Sequence, residues 1–328
     1  MSMRNCLYYG GTIQGSQHLC LPPLGCTAGL CPMLGVSNIH RFGKHVPPVV
    51  SIIMGYVYLL VPPVLNPVVY CIKTREIRTR IWDSLILEKK KKPFPTELSK
   101  FDNMTFLNIS TYGPFLLTGF PGLEDSYPVF SILFCFLYAI ALMGNSLILV
   151  VIWVEPALHT PMYLFLSMLA TSDLGLCATT LPSLLKLFWF NDREVHFDAC
   201  LTQMFFIHLF SLMESGILFA MAFDRYVAIS NPLRYTTILT NVNIAKIALG
   251  LSLRAVSVTC PGPLLIRRLR FCEANVLSHS YCLHPDIIKL SCSDHHLSSI
   301  YGLIIVIITF GMDSAFILLS YVKILITC

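Results

Sequence analysis

Six long stretches of the chain are apolar nearly all the way round, where a soluble helix or strand would alternate between apolar and polar faces. They are Val46–Ile72, Tyr127–Val154, Thr160–Leu187, Phe197–Ser230, Ile244–Ile266 and Ser298–Thr327. Each is long enough for the ~20 residues a helix needs to cross ~30 Å of hydrocarbon. Pro161 sits in the first turn of its span, where its missing N–H costs nothing. Pro62, Pro63 and Pro67 lie inside theirs and predict a kink, tolerated in lipid only where neighbours satisfy the freed carbonyls. The pattern predicts an all-α fold, a polytopic membrane helix bundle with six clear spans.

Composition agrees. Of 328 residues, 55% are hydrophobic and 12% charged, against about 25% charged in soluble domains. The net charge of +5 reads as a topology signal, because Lys and Arg collect on the cytoplasmic side. No basic aromatic groove accompanies it, so nucleic acid is not an expected partner. Nothing has the form of a hydrolase triad, phosphate loop or HExxH site, so the chain is not read as an enzyme. The first thirty residues lack the basic start and clean apolar core of a signal peptide. Cys6, Cys20, Cys26 and Cys31 fit no zinc spacing, and no metal site is assigned. The run Lys89–Lys92, followed by Pro93 and Pro95, reads as a solvated tail touching anionic membrane lipid.

Polar groups inside the spans are few. Asn66, Asn145, Asp173 and Glu214 interrupt apolar sequence, and such groups face the bundle interior. A hydrogen-bonded structural cluster is one reading and a cation site built from hard oxygens the other. They gather at one depth, which a proton relay or channel would not do. Met204, His208 and Ser211 recur at i, i+4 and i+7 on one helix face. They are candidates to bind a small ligand between helices, or a core histidine with its neighbours. Arg254 and Asp313 also lie within spans. Asp224-Arg225-Tyr226 stands where the Phe197–Ser230 span leaves the hydrocarbon, as charges at helix ends do.

Several phrases together carry a resemblance. Met221-Ala-Phe-Asp-Arg-Tyr-Val-Ala-Ile229 is similar to the end of the third helix in odorant receptors of the rhodopsin-like G-protein-coupled class. Pro161-Met-Tyr-Leu-Phe-Leu166 is another odorant-receptor phrase, and Phe115-Leu-Leu-Thr-Gly-Phe-Pro-Gly-Leu-Glu124 resembles the outer amino terminus of their class I, fish-like branch. Asn66-Pro-Val-Val-Tyr70 with Lys73–Arg78 resembles the seventh and eighth helices, and Pro32–Gly43 the outer end of the sixth. The resemblance implies odorant detection by a rhodopsin-like bundle coupled to a heterotrimeric G protein. Asp224, Arg225, Tyr226, Tyr321, Asn66, Pro67 and Tyr70 would serve coupling and activation. Asn145, Asp173 and Glu214 would form a polar core that can hold sodium, with no other cofactor. Met204, His208, Ser211 and His284 would line the ligand site, and class I members are associated with water-soluble odorants such as short carboxylic acids. The family pattern also implies Cys200–Cys282 and Cys272–Cys292 disulfides. His279, His284, His295 and His296 share that loop, as solvated or pocket-lining groups or a metal site.

The blocks stand in the wrong order. Residues 1–36 are irregular and hold the sixth-helix remnant, 37–92 resemble helices seven and eight, 93–125 a linker and outer terminus, and 126–328 helices one to five. The body of helix six is not found. A competent chain belongs in the plasma membrane. A fused, incomplete product would stay in the endoplasmic reticulum without signalling, and a transporter would need repeats the sequence lacks.

The order creates a topological conflict. Lys73, Arg75, Arg78, Arg80 and Lys89–Lys92 call for a cytoplasmic segment, whereas the sequons at Asn103 and Asn108 are glycosylated only in the lumen. No stretch between Lys73 and Tyr127 is apolar enough to cross. We expect the working head to start at Met104, which leaves Asn108 as its sequon. Doubly tagged protein subjected to glycosidase digestion and protease protection tests this. A full-length product glycosylated at Asn103 or Asn108, with Lys89–Lys92 in the cytosol, contradicts it.

Overall fold

A computed structural model describes residues 48–73, 77–80, 113–120, 122, 126–272 and 275–327. The sixth-helix remnant, the Lys89–Lys92 run and the sequons at Asn103 and Asn108 lie outside the described residues. Six helices are long and apolar enough to cross a membrane: α1 (Pro48–Lys73), α2 (Tyr127–Val154), α3 (Pro161–Phe190), α4 (Phe197–Ser230), α5 (Asn241–Ile266) and α6 (His296–Ile326). The protein is an all-α integral membrane bundle. α2 to α6 stand where the resemblance expects helices one to five, and α1 where it expects the seventh.

Helix ends follow local chemistry. α3 opens with Pro161 after an extended Thr160 and runs three residues past the predicted Leu187. It stops at Asn191, whose φ of 49° is left-handed and whose N–H caps the Lys186 carbonyl. α5 begins at Asn241, three residues before the predicted start, because the Thr240 hydroxyl accepts the Asn243 N–H at 3.3 Å. It is re-directed at Cys260-Pro261, where the proline removes a donor. α6 contains a π-helical segment, Val306–Phe310.

α2 packs on α3, α3 on α4, and α4 on both α5 and α6, while α1 packs on α2 and α3. The α1 contact is specific. Pro67 has no N–H to give the carbonyl of Pro63, four residues earlier. Asn145 Nδ2 on α2 donates to that carbonyl at 2.9 Å. One turn along, Asn66 Nδ2 donates to Asp173 Oδ2 on α3 at 3.0 Å. Gly144 lets the backbones close, since a Cβ there would stand 2.7 Å from the Pro67 Cβ. Farther along α1, Tyr58 bonds Ser211 on α4, and Tyr70 points its hydroxyl at Met221 Sδ, 3.8 Å away. Thus the segment whose sequence precedes the bundle packs as its neighbouring helix.

A small sheet covers the outer end. β1 (Phe115–Leu117) pairs antiparallel with β2 (Glu194–Val195) and parallel with β3 (Val276–Leu277). Phe115, Leu117, Phe197, Leu201, Leu277 and Ile287 form an apolar cluster beneath it. Arg80 pairs with Glu155 at 3.1 Å at the opposite end. Arg80 and the β1 strand thus stand at opposite ends of the bundle, as the conflict in the charges implies.

The close α1–α2 approach gives a test. Gly144→Leu drives a branched side chain into Pro67, and overpacking of this kind costs about 1–3 kcal/mol. Thermal unfolding of the purified protein in detergent should shift to lower temperature, with Gly144→Ala intermediate. An unchanged midpoint for Gly144→Leu contradicts the docking.

Candidate functional site

The structure places the sequence-predicted residues in three groups along α4. The first lies at its inner end. Asp224 is fully buried, with Oδ2 2.8 Å from Arg225 Nη2. The Tyr235 hydroxyl, on the short turn after α4, donates to Asp224 Oδ1 at 2.8 Å. Burial and the neighbouring Asp224 carboxylate push the Tyr235 hydroxyl above the ordinary phenol range, so it stays a donor. Arg225 is thus paired on its own helix, with its side chain largely covered. Lys323 on α6 lies over the Tyr226 ring at 5.7 Å, and Tyr321 packs half-buried against the main core.

The second group is the polar core at mid-depth. Asp173 accepts from Asn66 through both oxygens, at 3.0 and 3.3 Å. Asn145 bridges Pro63 and Ala141 carbonyls, both at 2.9 Å. Glu214 Oε1 and Asn145 Oδ1 are buried without a hydrogen-bond partner among the described residues. No cluster of three or more His, Cys, Asp or Glu suited to a metal is found among those residues.

The third group surrounds a cavity of about 80 Å³ toward the outer end, between α4, α5, α6 and the outer loop. Met204, His208 and His284 line it, joined by Thr259, Tyr301 and Phe310. Ser211 does not line it. Its hydroxyl donates to the Ile207 carbonyl at 2.8 Å and meets Tyr58 on α1. The i+7 spacing brought Ser211 back to the Met204 stripe two turns deeper, where α1 already closes the bundle. The roof is fixed by the bonds Cys200–Cys282, with Cα atoms 5.4 Å apart, and Cys272–Cys292. Disulfides on this face fit an oxidising lumen.

Several contributors escaped the sequence. Gln203 Oε1 accepts the Cys282 N–H at 3.0 Å, and its Nε2 donates to the Thr179 carbonyl at 3.0 Å, so it seats the loop on α3. A single polar residue beside a cysteine was the only signal. His279 is buried against Asp286 rather than solvated, whereas His295 and His296 are exposed. Below the cavity, Arg254 of α5 and Asp313 of α6 form a two-pronged pair: Nη1 to Oδ1 at 2.9 Å and Nη2 to Oδ2 at 2.8 Å. The Ser215 hydroxyl on α4 completes it with a 2.7 Å bond to Asp313 Oδ2. Two opposite charges in spans 59 residues apart were the available clue, but nothing in their spacing assigned them to each other.

Comparison with known proteins places the chain in a family. The family model described as olfactory receptor matches residues 21–89 and 134–328. The human olfactory receptor 51I2 is 55% identical over 222 residues, which is 68% of this chain and 71% of that receptor. Human olfactory receptor 51L1 is 54% identical over 213 residues, 65% of this chain and 68% of its own length. Human olfactory receptor 52K1 is 51% identical over 220 residues, 66% of this chain and 70% of its own. A family model that matches most of the chain, and relatives more than half identical over two thirds of their own length, show that the chain belongs to the olfactory receptor family of G-protein-coupled receptors.

Proposed function

We propose that this chain senses a small odorant in the cavity beneath the disulfide-bonded loop and passes the signal to a heterotrimeric G protein at Arg225. One observation carries the reading: α4 bears cavity-lining Met204 and His208 at one end and the Asp224–Arg225 pair at the other. A ligand shifts such a bundle only by binding one state better than the other. The state seen here has Arg225 engaged, so the signalling state is the one that releases it. Between the two ends, Asn145, Asp173 and Glu214 offer hard oxygens suited to a sodium ion, and Glu214 Oε1 and Asn145 Oδ1 have no hydrogen-bond partner among the described residues. In that position the ion would offset buried negative charge and favour the resting packing.

A second reading rests on the charge conflict between Lys73 and Tyr127. A chain that cannot place this segment on both sides would be retained in the endoplasmic reticulum and would not signal, whereas a correctly inserted chain would reach the plasma membrane. Cell-surface labelling separates the two locations.

For an inserted chain, Arg225→Ala should abolish odorant-evoked second-messenger production while leaving ligand binding and surface level unchanged. His208→Ala should weaken odorant potency about tenfold, the loss expected for one ligand hydrogen bond worth roughly 1–1.5 kcal/mol. Normal signalling by Arg225→Ala, or unchanged potency of His208→Ala across a panel of odorants, contradicts the assignment.

A further inference from the structure

The chemistry of the cavity wall narrows the ligand, on the reading that this cavity is the odorant site. The wall is largely aliphatic and aromatic, and no Lys, Arg, Asp or Glu among the described residues lines it. Most of its polar groups already have partners. The Thr259 hydroxyl donates to the Ala255 carbonyl at 2.7 Å, the Tyr301 hydroxyl to the Val258 carbonyl at 2.7 Å, and His284 Nε2 meets Ser298 Oγ at 3.1 Å. His208 differs, since no hydrogen bond to its ring is found among the described residues. An imidazole offers an N–H and a lone pair, so His208 gives the cavity one free polar anchor.

The guanidinium below the cavity is committed elsewhere. Arg254 lies one helical turn below the cavity-lining Val258, but both its terminal nitrogens face Asp313, and Nη2 also reaches the Thr309 carbonyl at 3.5 Å. Ser215 holds Asp313 from the other side. Drawing Arg254 toward a ligand would leave Asp313 buried without its cation, a change that is strongly unfavourable. A carboxylate entering the cavity would likewise lose its hydration, with no cation among the described lining residues to replace it.

We propose that the cavity selects an uncharged aliphatic odorant carrying a single oxygen, a ketone or an alcohol, held by one hydrogen bond to His208, and discriminates against the matching carboxylate. The Arg254–Asp313 pair supports this selection from outside the lining, by keeping the guanidinium engaged.

The test uses the purified full-length chain in detergent at neutral pH and a set of six-carbon ligands: hexan-2-one, hexan-1-ol, hexanoate and hexane. Affinity is read from the ligand-dependent shift of the thermal unfolding midpoint. The ketone or the alcohol should bind at least about tenfold tighter than hexanoate, and His208→Leu should bring both down about tenfold, toward hexane. Hexanoate binding as tightly as the ketone overturns the inference while leaving the cavity as the odorant site. So does selectivity for the ketone and the alcohol that survives His208→Leu, because the anchor is then another group. If none of the four binds, the cavity is not an odorant site, and the inference falls with the reading on which it rests.

Discussion

In a membrane every backbone carbonyl must find a donor inside the protein, and α1 breaks that rule by its own sequence. Pro67 withholds the N–H that the Pro63 carbonyl needs, and the amide of Asn145 on α2 supplies it. This one repair sets how α1 sits. With it in place, Gly144 meets Pro67 closely, Asn66 reaches Asp173, and Tyr58 and Tyr70 reach α4. Those contacts depend on three-dimensional proximity and not on chain order. A helix that precedes the others in sequence can therefore occupy the place that the family resemblance gives to the last.

The same logic of satisfied charge runs through the rest of the bundle. Two ion pairs within or beside the spans are each completed by a neutral hydroxyl from another element. Asp224 holds Arg225 with the help of Tyr235, and Asp313 holds Arg254 with the help of Ser215. The second pair binds α5 to α6 and reaches α4, next to the π-helical segment of α6, which contributes the Thr309 carbonyl. Segments of this kind recur at functional positions because they re-aim side chains without ending a helix. Here Phe310 is turned to the cavity floor while Arg254 meets the backbone beside it.

Much of this was legible in the sequence, because long uncharged runs admit few alternatives in lipid. All six spans were, and so was the convergence of Asn66, Asn145 and Asp173, since polar residues in apolar helices seek one another. Helix ends were less so. α3 continues to Phe190 because Asn191 adopts the left-handed cap, and α5 starts early because Thr240 caps it. Those choices are made by single side chains that hydropathy does not register. Periodicity put Ser211 on the Met204 stripe correctly but said nothing of depth, and α1 takes that position. The roles of Gln203 and Arg254 lie in partners distant in sequence, which one chain without its fold does not reveal.

The central claim is that a missing backbone donor in α1 is replaced by a side chain of α2. A double-mutant cycle on Asn145 and Pro67 measures that directly, since Pro67→Ala restores the N–H that Asn145 replaces. Asn145→Ala should destabilise the otherwise unchanged protein by about 0.5–2 kcal/mol in reversible unfolding. In the Pro67→Ala background the same change should cost markedly less, with a coupling of at least ~0.5 kcal/mol between the two sites. An equal cost in both backgrounds would show that Asn145 does not serve the Pro63 carbonyl and would contradict this account of how α1 joins the bundle.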